Sequence, residues 1–128
     1  APVALTSALT EAVADAERNG TVGATLDIEG APRPLPTDVE TTILRIAQES
    51  LTNVLKHADA KHVRVLLRYA EDDVTLEVSD DGRGWDAGQE SPGRLGLLGM
   101  RERAKWIGAS LSIASRVGQG ARITLRVE

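Results

Sequence analysis

The hydrophobic period of this chain changes several times along its length, and the order of those changes limits the folds that it can adopt. Apolar residues recur at helical spacing over residues 4–18 and roughly 37–58, and they alternate over residues 22–28 as in a strand. KHVRVLLRYA and DVTLEVSD predict two further strands, GMRERAKWIG a short helix, and ASLSIAS with GARITLRVE a closing hairpin. The order α-β-α-β-β-loop-α-β-β favours an α/β fold, a two-layer sandwich with a mixed sheet and helices on one face.

The boundaries between these segments carry start and stop signals. The prolines of APRPLP predict a loop, and Thr37–Glu40 has the pattern of a capping box that opens the long helix. Glu71–Asp73 predicts an acidic turn between two strands, and Gly108 predicts a helix end. Residues 82–96 hold five glycines and little apolar content, which predicts a mobile loop.

The composition narrows the class of protein. The 128 residues fit one domain, 1–128, and because aromatic residues make up only 2%, its core must consist of Val, Leu, Ile and Ala. There is no cysteine for a disulfide, and no apolar run approaches the roughly 20 residues that span a bilayer. The net charge of −4 argues against nucleic-acid binding. We expect a monomeric cytoplasmic domain without membrane insertion. The start at APVAL without Met is typical of a piece of a longer protein, and processing of the chain is the alternative.

The long helix carries an unusual set of polar residues in QESLTNVLKHADA. Glu49, Asn53 and Lys56 recur at i, i+4 and i+7, so a carboxylate, an amide and an ammonium share one stripe. A carboxylate can accept a proton or orient a nucleophile, an amide oxygen suits Mg²⁺, and an ammonium suits a phosphate. The stripe alone is a weak signal, and a solvated helix face is the simpler explanation of it.

A second pattern, SDDGRGWD, follows the strand that ends near Ser79. Asp80-x-Gly82-x-Gly84 places a carboxylate at the strand end, followed by two residues without side-chain bulk. A carboxylate there can accept a hydrogen bond from an exocyclic amine such as that of adenine, and the glycines let a flat ring approach the backbone. A tight turn is the alternative, because Asp and Gly are turn residues.

Two glycine pairs complete the set. Gly96-x-x-Gly99 stands where the loop is predicted to become a helix, and free amides at a helix start suit a phosphate. Flexible-loop glycines are the alternative. Gly118-x-Gly120, taken alone, predicts a hairpin turn.

The ordered set of motifs resembles the ATP-binding catalytic domain of bacterial two-component sensor histidine kinases, in the superfamily that also includes gyrase, Hsp90 and MutL. LPTDVETTILRIAQESLTNVLKHADA is similar to the N box, VSDDGRGWD to the first glycine box, GLLGMRERAKWIGASLSI to the second, and SRVGQGARITLRV to the closing hairpin. The closer resemblance is to the short-lid subfamily of nitrate and desaturase-regulating sensor kinases. It implies a Bergerat-type α/β sandwich that holds ATP and Mg²⁺.

The resemblance assigns roles position by position. Asn53 matches the family's Mg²⁺ ligand, Glu49 the acidic position that acts as base or positions water, and Asp80 the carboxylate that reads the adenine amine. Residues 85–98 correspond to the lid that closes over ATP. The other positions that the resemblance places at the nucleotide are Lys56, His57, Gly82, Gly84, Gly96, Leu97, Gly99 and Met100.

Several positions depart from the family pattern. The only histidines are His57, in the N box, and His62, before a strand, so the phosphoacceptor is expected on another part of the protein. Ala121 replaces the usual Thr and removes one hydrogen bond of about 0.5–1.5 kcal/mol, equivalent to at most about tenfold in ATP affinity. Asp81 stands where Asn is common and would repel a triphosphate unless it points outward, whereas Val117 in place of Pro is treated as neutral.

The resemblance implies a protein histidine kinase module. It would bind Mg·ATP and pass the γ-phosphate to a histidine on separate dimerisation helices, for transfer to a response regulator. The isolated domain would not phosphorylate itself. One alternative is a degenerate docking module without catalysis, favoured by Ala121 and Asp81. The other is a related superfamily ATPase or an anti-sigma-factor serine kinase.

Overall fold

The computed structural model describes residues 4–84 and 94–128, with the backbone alone for residues 57, 58 and 94–96. The elements occur in the order expected from the sequence. They are α1 Ala4–Asn19, β1 Gly23–Glu29, α2 Thr37–Asn53, a π-helical turn Val54–Ala58, β2 His62–Tyr69, β3 Val74–Asp80, α3 Arg94–Trp106, β4 Ser110–Ser115 and β5 Ala121–Val127.

The five strands form one mixed sheet with the order β1-β2-β3-β5-β4. β1 and β2 are parallel because α2 crosses between them, and the other neighbours are antiparallel. One face of the sheet packs against the helices, and its core is mainly aliphatic as predicted, although Tyr69 and Met100 are also buried in it. The side chains in it that are almost fully buried include Leu9, Ile43, Ile46, Val65, Leu67, Leu76 and Leu125.

The opposite face of the sheet is covered by charged side chains. Ion pairs between strands connect Asp27 with Arg64 (2.7 Å), Glu29 with Arg68 (3.0 Å) and Glu77 with Arg122 (3.1 Å), and Asp73, just before β3, pairs with Arg126 on β5 (2.8 Å). Leu66 lies on this face in register with Asp27 and Glu77, yet only 3% of it is exposed. The helices therefore occupy one face, and the ion pairs shield the other.

The predicted capping box at the start of α2 is wrong. Pro36 is the N-cap residue, with φ −52° and ψ 145°, and no side chain caps the helix. Glu40 instead accepts a hydrogen bond from the amide of Leu35 at 3.2 Å, outside the helix. Thr37 cannot act as the N-cap residue because it already belongs to the first helical turn.

The second correction concerns the start of α3. This helix begins at Arg94, so the predicted mobile loop and lid end earlier than expected, and residues 94–98 are helical. Leu97 and Met100 lie one turn apart and are both buried, which anchors the first turns against the core. The rest of the predicted lid, 85–93, lies outside the described residues. None of the helices within the described ranges is long and apolar enough to cross a membrane.

Candidate functional site

The polar stripe on α2 is interrupted by a change of helix type. α2 is α-helical to Asn53, the next five residues form a π-helical turn, and Asp59 then adopts a left-handed φ of 50°. A π turn advances fewer degrees per residue, so Lys56 does not lie at the angle from Glu49 that a uniform α-helix predicts. Lys56 is exposed, whereas the side chain of His57 lies outside the described part. Such turns concentrate at functional sites, and no sequence signal indicated this one.

The N-terminal part of the stripe faces a groove between α2 and α3. Ser50 donates a hydrogen bond to the carbonyl of Ile46 at 2.7 Å, and its hydroxyl lies 3.9 Å from Met100 Sδ. This buried contact fixes the two helices together. The resulting α2–α3 groove has a volume of about 440 Å³ and is lined by Arg45, Gln48, Glu49, Thr52, Gly99, Met100 and Arg103. The fold thus brings Glu49, Gly99 and Met100 together, with Asn53 half-buried one turn beyond Glu49.

The second predicted element lies at the end of β3. Asp80 is half-buried, and its Oδ1 accepts a hydrogen bond from the amide of Gly82 at 2.8 Å. Burial raises the pKa of Asp80, the like charge of Asp81 adds to the rise, and hydrogen bonds from the amides of Gly82 and Ala121 oppose it. A carboxylate has about four lone-pair sites, so these two amides leave acceptor capacity for a ligand. A partly buried carboxylate with a raised pKa is typical of a binding or catalytic site.

Two glycines hold the loop after β3 against the β4–β5 turn. Gly84 has φ +59°, and a Cβ atom on it would lie 2.1 Å from the carbonyl oxygen of Arg116. Gly120 has φ +76°, and its Cβ would lie 2.0 Å from the carbonyl oxygen of Asp80. The hairpin turn predicted at Gly118-x-Gly120 is therefore confirmed, but it also supports the backbone of Asp80, which sequence reasoning missed.

Asp81, whose charge stood out in the sequence, is turned towards the start of β2. Its Oδ1 accepts the amides of Lys61 at 2.9 Å and His62 at 2.8 Å. These bonds, led by the one from His62, lower the pKa of Asp81. The stability that they contribute is present at neutral pH and is lost as the pH falls through the lowered pKa. Asp81 thus connects two strands. Binding of a triphosphate requires the Asp81 carboxylate to point outward, and the carboxylate is turned away in this manner.

Gly96 and Gly99 occupy different positions than expected. Gly96 is the third residue of α3, among the first four whose amides have no partner within the helix. Gly99 lies beyond that first turn, and a Cβ on it would meet no atom of the described structure within 4 Å. Leu97 and Met100 are buried, so their side chains position α3. Within the described residues, no group of three or more His, Cys, Asp or Glu could hold a metal ion.

Comparison with known proteins identifies relatives of this domain. The chain is 40% identical over 91 residues to the oxygen sensor histidine kinase NreB of Staphylococcus carnosus (strain TM300), covering 70% of this chain and 26% of that protein. It is 33% identical over 98 residues to the signal transduction histidine-protein kinase/phosphatase DegS of Brevibacillus brevis, covering 77% of this chain and 25% of that protein. The chain thus spans about a quarter of the length of these relatives.

Solved structures share the fold at lower identity. The blue-light activated histidine kinase EL346 of Erythrobacter litoralis superposes with a TM-score of 0.74 at 22% identity, over 93% of this chain and 43% of that one. The Acinetobacter baumannii histidine kinase AdeS gives a TM-score of 0.76 at 14% identity, over 98% and 63%. Residues 38–128 also match the family described as histidine kinase-, DNA gyrase B- and HSP90-like ATPase. This match covers most of the chain and agrees with the resemblance inferred from the motifs, so the chain belongs to this ATPase family.

Proposed function

We propose that this domain binds Mg·ATP and donates the γ-phosphate to a histidine on separate dimerisation helices, for onward transfer to a response regulator. The observation that carries the proposal is the half-buried Asp80 carboxylate, held by two backbone amides at the end of β3. Relatives named as histidine kinases support the same assignment. The response regulator and the acceptor helices are expected partners, and the domain itself is proposed to be monomeric.

The residues present fit an adenine nucleotide. Asp80 retains acceptor capacity for an exocyclic amine, and the glycine contacts fix the backbone around it without adding side chains. Gly99, whose Cβ would meet no atom of the described structure within 4 Å, and the first-turn amides of α3, which have no partner within the helix, suit phosphate groups. Asn53 supplies an amide oxygen suited to Mg²⁺, which when bound neutralises part of the triphosphate charge.

The protein's own contribution is mainly to position the reacting groups. Glu49 lines the α2–α3 groove, where it can accept a proton from the incoming imidazole or orient it. Lys56, within the π-helical turn, is proposed to add positive charge near the phosphates. The non-catalytic alternative loses one of its two supporting features, because Asp81 is turned away, and only Ala121 still favours it.

Replacing Asp80 by Asn is expected to weaken ATP binding by about ten- to a hundredfold, since a hydrogen bond to a charged group contributes about 1.5–3 kcal/mol. The free energy of unfolding should not decrease. Because the pKa of Asp80 is raised in the folded state, this group's contribution to stability is full only below the unfolded pKa of about 3.9 and is lost as the pH rises through the folded pKa. Asp80→Asn is therefore expected to be at least as stable as the wild type at pH 7.

Titration calorimetry with ATP, with and without Mg²⁺, measures the affinity, and urea unfolding at several pH values measures the stability. Asp15→Asn, an exposed carboxylate on α1, is the matched control and should bind ATP normally. No binding heat from a folded wild-type domain would overturn the proposed function and favour the docking module. Normal binding by Asp80→Asn would remove Asp80 from the nucleotide site.

The substitution Gly99→Ala separates a structural role of Gly99 from a role in nucleotide binding. An alanine at this helical position meets no atom of the described structure and should stabilise α3 by up to about 1 kcal/mol. If phosphates approach the Gly99 backbone, the added methyl group should weaken ATP binding several-fold. Calorimetry and thermal unfolding of the same sample test both effects. Unchanged affinity would show that ATP does not approach this glycine.

A further inference from the structure

The α2–α3 groove carries two arginines that the proposed function does not use. Arg45 lies on α2 and Arg103 on α3, and both side chains are exposed in the groove that also contains Glu49. Within the described residues, neither arginine forms an ion pair, and Arg45 does not pair with Glu49 although they lie one helical turn apart. The groove therefore presents two guanidinium groups and one carboxylate.

This arrangement differs from the outer face of the sheet. There, four arginines each pair with a carboxylate across neighbouring strands, as described above for Arg64, Arg68, Arg122 and Arg126. The chain as a whole carries a net charge of −4, so the positive excess in the groove is a local feature. A guanidinium group has the donor geometry to bind a carboxylate or a phosphate through two hydrogen bonds.

The positions of the two arginines indicate which of the two anions, a carboxylate or a phosphate, they bind. Arg45 precedes Asn53 by eight residues, which is about 12 Å along an α-helix. Glu49 lies between them, so Arg45 is on the side of Glu49 away from the proposed Mg²⁺ ligand. Arg103 similarly follows Gly96 by about two helical turns. Both arginines are thus displaced from the end of the groove where Asn53 and the first turn of α3 are proposed to hold the phosphates, which favours a carboxylate as the anion that they bind.

We propose that Arg45 and Arg103 select the phosphoacceptor segment by binding an acidic side chain next to its histidine. This inference rests on the proposed function and adds a specificity determinant to it. One arginine on each wall of the groove holds the carboxylate from both sides, while Glu49 meets the imidazole beside it. Met100 forms the floor of the groove, where it is buried and its Sδ lies 3.9 Å from the Ser50 hydroxyl of the facing helix.

The test uses this domain with the dimerisation helices of its parent kinase, supplied separately as the phosphate acceptor. Arg45→Ala, Arg103→Ala and the double variant are compared with Arg101→Ala, an exposed arginine of α3 outside the groove. We expect each single change to raise the KM for the acceptor several-fold and the double change to raise it by about tenfold. The Kd for ATP, measured by calorimetry, should remain unchanged in these variants. Arg101→Ala should keep the wild-type KM for the acceptor.

A second arm identifies the carboxylate. Each Asp or Glu within one helical turn of the acceptor histidine is replaced by its amide. The inference is supported if one such change raises the KM equally and the arginine variants then cause no further loss, as coupled partners should. It is overturned if the arginine variants leave the KM unchanged, or if they weaken ATP binding, which would make them phosphate ligands. A wild-type domain that binds ATP but never phosphorylates the acceptor overturns the proposed function itself, and the inference with it.

Discussion

Replacement of Glu49 by Gln is expected to lower phosphate transfer to the acceptor histidine by about 10²- to 10⁴-fold, the range that general acid–base groups contribute. Gln keeps the size of the side chain but cannot accept a proton. Glu49 is exposed on α2, so the free energy of unfolding should change by no more than about 0.5 kcal/mol. Single-turnover transfer from radiolabelled ATP measures the rate, and calorimetry should show ATP affinity within about twofold of the wild type.

Glu102→Gln is the matched control for this change. Glu102 is also an exposed glutamate on a helix of the site, but it does not line the α2–α3 groove. Its transfer rate should equal that of the wild type. If Glu49→Gln retains full transfer, Glu49 is not the base or the positioning group. If ATP affinity falls in parallel with the rate, its contribution is to nucleotide binding instead.

Replacement of Gly120 by Ala is expected to destabilise the domain by at least about 3 kcal/mol and to abolish the nucleotide site with it. Two effects combine. The φ of +76° is unfavourable for a residue with a Cβ, and that Cβ would lie 2.0 Å from the carbonyl oxygen of Asp80. Because Asp80 is paired in register with Ala121, relief of the clash must shift the strand end that carries the carboxylate. Urea unfolding measures the loss of stability.

Gly118→Ala controls for the backbone strain alone. Gly118 has a similar φ of +79° in the same turn, but a Cβ there meets no atom of the described structure within 4 Å. Its substitution should cost only the left-handed penalty of about 1–2 kcal/mol and should leave ATP binding intact. Equal destabilisation by the two substitutions would show that the close approach to Asp80 contributes nothing.

The candidate site was partly predictable because its residues occupy recognisable places in local elements. Asp80 follows an alternating strand, which places it at a strand end, and Glu49 and Asn53 are one turn apart on a helix with a clear apolar side. Spacing alone could not exclude a solvated face or a plain turn for any one of them. The roles assigned to these residues remain proposals, and the experiments above test them.

Other features could not be read from the sequence because they depend on contacts between distant segments. Asp81 was expected to repel a triphosphate unless its side chain points outward, and the sequence could not show which; amides 19 and 20 residues away bind its carboxylate and turn it aside. The π-helical turn after Asn53 displaces Lys56 from the predicted stripe without any local signal. The start of α3 was misplaced because glycines indicated a loop, whereas burial of Leu97 outweighed their low helix propensity.

Local sequence patterns specify the order of helices and strands, the mainly aliphatic core and the family to which the motifs point. Each of these depends on residue types and on periods within one segment, which local burial enforces. Which charged side chains remain unpaired and which glycines approach another backbone depends instead on how distant segments pack together. The arginines of the sheet find partners on neighbouring strands, but Arg45 and Arg103 meet across two helices without one in the described structure. Packing of separate segments sets such distances, and no single segment encodes them.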